Sequence, residues 1–226
     1  NWVGPAEFIP YQANRTPSGW HWWYHFGTGD MGNDGVHDID YARWGLGVDK
    51  HPSMVSASGG KFFFDDDQQF PDTQQVAFQY PGSGATGEQK LLMYEQRLWS
   101  TNYPHNVDSG AEFYGTKGQM FLSRRGKIAV YGERNRRIDV KVVPEAQNAE
   151  KHVRNFLHCV RTGGVPNGDI ELGHLTTSLC HLGNVATRLG RSFRFDPDTE
   201  RVLGDAEADK LMSRPYRNHW GRPKGA

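Results

Sequence analysis

Gly27-Thr28-Gly29-Asp30-Met31-Gly32-Asn33-Asp34-Gly35-Val36-His37-Asp38-Ile39-Asp40-Tyr41-Ala42-Arg43-Trp44-Gly45 admits two readings, and the choice between them decides the fold. In the first, Gly27-x-Gly29-x-x-Gly32 has the spacing of a dinucleotide-binding loop, with Asp49 at a suitable distance behind it. Such a loop needs a buried, β-branched strand in front and a strand–helix–strand unit around it. The residues in front are Trp20-His21-Trp22-Trp23-Tyr24-His25-Phe26, and the chain beyond the run reads as a meander. The second reading is a helix that starts near Asn33-Asp34 and stops at Gly45. It fits better, and the glycines then serve tight turning of the backbone.

On that helix the residues sort by face. At about 100° per residue, Val36, Ile39, Ala42 and Leu46 share one arc, with Met31 alongside. Asn33, His37, Asp40 and Trp44 fall within about 60° of one another on the other side. A solvated face normally carries Lys and Glu. An amide, an imidazole, a carboxylate and an indole are instead groups that grip and deprotonate a small polar ligand, although an amphipathic helix with unusual polar choices explains the spacing as well.

Outward from this helix the chain divides cleanly. Residues 1–26 are rich in aromatics and proline and read as an irregular approach segment, with a short strand at Trp20–Phe26. The aromatic faces of Trp22, Trp23 and Tyr24 suit stacking on sugar rings, or a hydrophobic core. From Pro52 to Val143 the signals are strand-like: Met54–Phe64, Gln75–Tyr80, Lys90–Ser100, Ala111–Gly115, Gln119–Ser123, Lys127–Tyr131 and Arg137–Val143. Short turns join several of them, including Pro81-Gly82-Ser83-Gly84 and Thr116-Lys117-Gly118. These signals predict one large, open, mainly antiparallel sheet. After Pro144, helices at 149–162 and 171–189 carry apolar stripes that would pack on one face of that sheet. The second also carries a polar stripe of His174, Thr177, His181, Asn184 and Arg188, suited to a ligand or a second domain. A strand (192–195), a short helix (205–212) and a basic, aromatic strap (214–226) complete an α+β chain read as a single domain over 1–226.

Bulk properties exclude several classes. Lys plus Arg equals Asp plus Glu at 26 each in 226 residues, so neither nucleic acid nor an anionic membrane is an expected partner. No apolar run approaches membrane-spanning length. The chain begins at Asn1 without a methionine, so any targeting segment would lie upstream, and the compartment, cytoplasmic or exported, stays open. Cys159 and Cys180 read as reduced core residues. Asp65-Asp66-Asp67 with Asp72 lacks the glycine and glutamate of a calcium loop and reads as a solvated turn. A hydrolytic metal site at His37, Asp40 and these aspartates is the least favoured reading, and no metal is expected. The strands carry apolar residues on both sides (Phe62, Phe63, Phe64; Leu91, Leu92, Met93), which predicts a dimer or tetramer through sheet faces.

The pattern Gly35-x-His37-x-x-Asp40-x-x-Arg43-Trp44 resembles the C-terminal-domain signature of the Gfo/Idh/MocA oxidoreductases. So do Gly27–Asn33, Gly59-Gly60-Lys61-Phe62, Asp169-Ile170-Glu171-x-Gly173-His174, Leu179–Asn184 and Tyr216-Arg217, and the resemblance covers essentially the whole chain. It implies an enzyme whose N-terminal Rossmann domain binds NAD or NADP, and whose C-terminal α/β domain receives the substrate on a large open sheet and commonly mediates oligomerisation. This chain corresponds to the second part alone. The nucleotide fingerprint strand and the family's Glu-Lys-Pro motif have no counterpart, so by itself it is expected to be inactive. The catalytic positions implied are His37 and Asn33, the latter where members often carry an aspartate. An amide hydrogen-bonds a hydroxyl but relays no proton. Asp30, Asp34, Asp40, Trp22, Trp23, Tyr24, His174 and His181 are the substrate-binding candidates, Asp40 also to orient the His37 ring. Hydride transfer between a nicotinamide and a sugar or polyol is the leading function. A non-catalytic carbohydrate-binding or assembly domain is the alternative.

Overall fold

The computed structural model describes residues 2–82, 88–143, 145–146, 148–217 and 220–221. Ser83 and Gly84 of one expected turn, Pro144, and strap residues 218, 219 and 222–226 lie outside the described residues. Two 3₁₀ turns (Ala13–Arg15, Gly19–Trp22) and a π-helical turn (Met31–Gly35) lead into α1 (Val36–Leu46). Next come β1 (Met54–Gly60), β2 (Thr73–Tyr80), β3 (Lys90–Arg97), β4 (Ala111–Gly115), β5 (Gly118–Leu122), β6 (Ile128–Tyr131) and β7 (Arg137–Ile138). The chain continues with α2 (Ala149–Thr162), α3 (Ile170–Leu189), β8 (Phe193–Asp196), β9 (Arg201–Leu203) and α4 (Ala206–Leu211). No described helix is long and apolar enough to cross a membrane.

The class is α+β with open antiparallel sheets, as the sequence implies. The strands divide between two sheets, ordered β3-β2-β1-β8-β9 and β4-β5-β6-β7, where periodicity had suggested one. Period-2 alternation specifies that a strand has two faces but says nothing of which strand it neighbours. Two compact units accompany the two sheets. The first comprises Asn1–His37, Lys50–Ser100 and Thr177–Ala226, as far as they are described, and the second Asp38–Asp49 and Thr101–Thr176.

In the first unit, register fixes which side chains share a face. Val55 pairs with Phe78 and Phe193, Phe78 with Leu92, and Phe195 with Val202, so one face is a continuous apolar layer. All six are buried, as are Leu179, Leu182, Val185 and Ala186 of α3, which lies against this layer. Each such side chain contributes about 1.5–3 kcal/mol when removed from water. Gln74 and its cross-strand partner Gln96 are buried polar exceptions on that face: Gln74 Nε2 donates to the Gly183 carbonyl (3.4 Å) and to Thr187 Oγ1 (2.6 Å), and Gln96 Nε2 to the Pro71 carbonyl (3.0 Å). The opposite face carries Met54, Ser56, Ala77, Leu91 and Met93 by the same pairings. Leu91 and Met93 are 53% and 67% exposed.

The second unit is built on the four-stranded meander. Gly45 of α1 sits against the Phe113 ring of β4. Ile39, Phe121, Ala129, Cys159 and Leu175 are buried here. Asn148 caps α2 by accepting from Glu150 N (3.0 Å) and Lys151 N (3.2 Å), and Gly163 ends it in the left-handed region. The α2 stripe expected to pack on a sheet instead faces solvent: Val153, Phe156, Leu157 and Val160 are all exposed, Val160 by 65%. Cys159 and Cys180 are both buried thiols outside any disulfide, as expected.

Two local expectations are corrected. Trp20–Phe26 is not a strand: a 3₁₀ turn ends at Trp22 and further turns succeed it, because Phe26 N and Gly27 N both bond back to the Trp23 carbonyl. Asp72 is not in a solvated turn but fully buried. Its carboxylate accepts from the successive backbone N–H groups of Phe62, Phe63 and Phe64 and from the Thr73 hydroxyl. Burial works to raise its pKa, but these donors outweigh burial and hold it at about 2.

Candidate functional site

The glycine-rich run enters its helix through a π-helical turn, a distortion that recurs at functional sites. Met31 and Gly35, four residues apart, are buried in it, while Asn33 and His37, also four apart, are exposed. Glycine is required where the run begins. A Cβ on Gly27 would collide with the His21 backbone, and one on Gly29 would lie 2.5 Å from the Phe70 ring at a φ of +62°. These are packing and turning roles. No strand precedes the run, and every strand pairing among the described residues is antiparallel, so the dinucleotide-loop reading fails.

The start of this helix is clamped by α3. Cys180 Sγ donates to the Met31 carbonyl (3.3 Å) and Asn184 Nδ2 to the Thr28 carbonyl (2.7 Å). Further along the same stripe, the Arg188 guanidinium lies 4.3 Å from the Tyr24 ring centroid. The Asn184–Arg188 end of the α3 polar stripe therefore meets the 24–28 segment, while His174, Thr177 and His181 are exposed. Tyr24 also meets Phe70 edge-on at 4.5 Å, and its backbone N–H donates to Gln69 Oε1 (2.8 Å). Burial pushes the Tyr24 hydroxyl pKa up, with Arg188 pulling it back. Trp23 carries the Arg15 guanidinium on its ring at 4.1 Å, and the Trp22 carbonyl accepts from Gln69 N (3.0 Å). All three aromatic candidates are half-buried and fixed in place.

Asp30 and Asp34 are half-buried at the same turn. Burial first, then the neighbouring Asp34 charge, pushes the Asp30 carboxyl up to about 6, with His21 opposing. An acid at that value exchanges its proton near neutral pH. His181 is exposed at its edge, yet the protein packed around the ring and then the nearby Arg214 charge lower its pKa. His21, beside Asp30, and Arg214, beside His181, are neighbours of candidate residues that sequence reasoning missed. Each acts through the fold rather than through a motif, since Arg214 reaches back to donate to the carbonyls of His25 (3.1 Å) and Gly27 (3.0 Å).

Trp22, Trp23, Tyr24, Asp30, Asn33, Asp34, His37 and His181 all fall in the first unit, while Asp40 and His174 belong to the second. His174 is exposed. The Asp40 carboxylate accepts from Thr176 Oγ1 (2.7 Å) and lies 3.7 Å from the buried Arg43 guanidinium. Arg43 in turn donates to Thr176 Oγ1 (3.2 Å) and the Val48 carbonyl (2.9 Å). That network is one a fold uses to satisfy a buried cation. The loop aspartates are equally engaged: Asp66 with Lys61, Asp67 with Asn14 and Gln12.

A family model described as the oxidoreductase family, C-terminal alpha/beta domain, of Gfo/Idh/MocA type, matches residues 1–222. None of the curated proteins compared with the chain matches it. Among solved structures, levoglucosan dehydrogenase in complex with NADH and L-sorbose aligns at a TM-score of 0.58 and 14% identity, over 82% of this chain and 56% of that one. An NAD-binding protein from Listeria innocua aligns at 0.56 and 13%, over 79% and 55%. An oxidoreductase from Agrobacterium radiobacter in complex with NAD+, L-tartaric acid and magnesium aligns at 0.51 and 14%, over 71% and 47%. The chain spans about half the length of the solved structures it matches.

Proposed function

Because the chain belongs to the Gfo/Idh/MocA oxidoreductase family, as its C-terminal α/β domain, we propose that it is the substrate-binding, proton-accepting part of a dehydrogenase that uses NAD or NADP. The substrate is a sugar or polyol. The observation that carries this reading is the shared exposure of Asn33 and His37 on the π turn and the first turn of α1. Oxidising a secondary alcohol releases a hydroxyl proton, and an imidazole can take it near neutral pH. Asn33 hydrogen-bonds a neighbouring hydroxyl, and Asp30 exchanges protons with the bound polyol or with water. Asp40 is given the structural task of holding Arg43 and Thr176. Hydride chemistry belongs to the nicotinamide, and the described residues do not form a strand–helix–strand cradle to hold one. Levoglucosan dehydrogenase, which shares the fold and was crystallised with NADH and a ketose, supports a sugar as the substrate class.

The reading is tested in the complete protein by following cofactor reduction over a panel of sugars and polyols. His37→Ala should lower kcat/KM by about 100-fold or more, the usual contribution of a positioned acid–base group. A loss within about threefold would remove His37 from the chemistry. Asn33, standing where family members often carry aspartate, favours one alternative, a binding or assembly domain without turnover. That alternative gains if no member of the panel reduces the cofactor while saccharides still bind.

A further inference from the structure

The sequence signal for the last strand of the four-stranded sheet outruns the strand itself. Arg137-Ile138-Asp139-Val140-Lys141-Val142-Val143 alternates charged and β-branched residues as far as Val142, yet β7 ends at Ile138. Its ladder with β6 holds two pairs, Tyr131↔Arg137 and Val130↔Ile138. Continued in that register it would reach Ala129 and Ile128 and then run out of partner, because β6 begins at Ile128. Residues 139–143 are all exposed, Val143 by 91%, and the apolar Val140 and Val142 are among them. Asp139 and Lys141 form no ion pair with a described residue, whereas in the same unit Arg125 pairs with Asp108 (2.7 Å) and Arg154 with Glu150 (2.6 Å). β7 is also an edge, since the strand order is β4-β5-β6-β7.

We propose that residues 137–143 are the pairing edge for a second copy of this chain, laid antiparallel about a two-fold axis through Val140. Backbone direction, charge and apolar alternation all select that partner and register. The Arg136 carbonyl accepts from Gly132 N (2.9 Å), which turns the backbone groups of even-numbered residues towards β6 and those of 137, 139, 141 and 143 towards the open side. Antiparallel pairing about Val140 hydrogen-bonds 139 to 141 and 137 to 143 of the second copy, so it uses the outward groups. The same register sets Asp139 against the second copy's Lys141, once on each side of the axis. Centring the pair on Asp139 or on Lys141 instead sets like charges face to face. Ile138, Val140 and Val142 fall on one side of the resulting ribbon, opposite Val142, Val140 and Ile138 of the other copy, which gives the exposed apolar groups partners. The pattern is self-complementary, as a two-fold interface requires, and supplies the main-chain partners that an open edge lacks.

Val140→Cys in the full chain is the test. For a pair on the axis the two Cα atoms stand about 4.5 Å apart, within the span of a disulfide. Cys159 and Cys180 are buried and common to every variant. Under mild oxidation at micromolar concentration, V140C should form a cross-linked dimer on a non-reducing gel about tenfold or more faster than Val165→Cys, a more exposed position in the same unit. In the V140C background, Asp139→Lys sets two cations opposite each other and Lys141→Asp two anions, and each should slow cross-linking about tenfold. Mixed together, these two variants meet with opposite charges at both positions and should regain the V140C rate. Cross-linking no faster than V165C, indifference to the charge reversals, or a mixture no faster than its components overturns the proposal. A dimer formed through the Leu91–Met93 sheet face alone would raise the mass without this cross-link, and overturns it too.

Discussion

Asp30 and Asp72 belong to one unit and are driven in opposite directions by their surroundings. Asp72, held at about 2, is more acidic folded than unfolded, so its contribution to stability is present above the ordinary value near 3.8 and is lost as pH falls towards 2. Thermal melts of Asp72→Asn against the parent should therefore differ most at neutral pH and converge towards pH 2. Asp30 is the inverse case. Its folded value of about 6 exceeds the ordinary 3.8, so ionising it opposes folding, fully above pH 6 and not at all below 3.8. Asp30→Asn should raise Tm at pH 8 and leave it unchanged near pH 3.5. On the proposed function, the variant should lose substrate affinity where it gains Tm. Little of this was legible in the sequence. His37 and Asn33 could be read off helical spacing, but a carboxylate fed by three consecutive N–H groups looks in sequence like any aspartate in a polar loop.

At the scale of elements, the residue types that set α1, α2 and α3 were readable because caps and apolar periodicity are local signals. The π turn was not. A wider turn keeps the same composition and changes only which carbonyl each N–H reaches, so a constant 100° step misplaces faces around it. Gly29 is the most exacting position in that turn. Gly29→Ala must hold a Cβ at positive φ and displace the Phe70 ring, and should cost about 2–4 kcal/mol in urea unfolding. A loss under about 0.5 kcal/mol would show that the turn relaxes freely. The α2 stripe teaches the complementary lesson. Its pattern correctly announced a helix with an apolar side, yet pattern alone does not name the surface that side meets, and in this chain it meets solvent.

For the whole molecule, the sheet class came from strand lengths and turns, whereas the split into sheets of five and four rests on long-range pairing that no local signal encodes. Among the described residues, the Leu91–Met93 face of the five-stranded sheet and the α2 stripe are left uncovered. Burying either between copies would remove the exposure, so light scattering at micromolar concentration should report a mass above that of one chain. Leu91→Lys with Met93→Glu should shift it towards the monomer if the sheet face is the one used. A monomeric parent would count against self-association altogether.

The strap also has a geometric consequence. The Arg217 backbone N–H bonds to the Pro5 carbonyl (2.9 Å), and its guanidinium reaches the Gly4 carbonyl (2.9 Å), so both extremities are buckled to each other. Any polypeptide continuing outward before Trp2 thus departs from nearly the same spot as one continuing after Arg217. The stretch around Gly4 and Pro5 and the strap at Arg217 run side by side, near the segment that Arg214 holds.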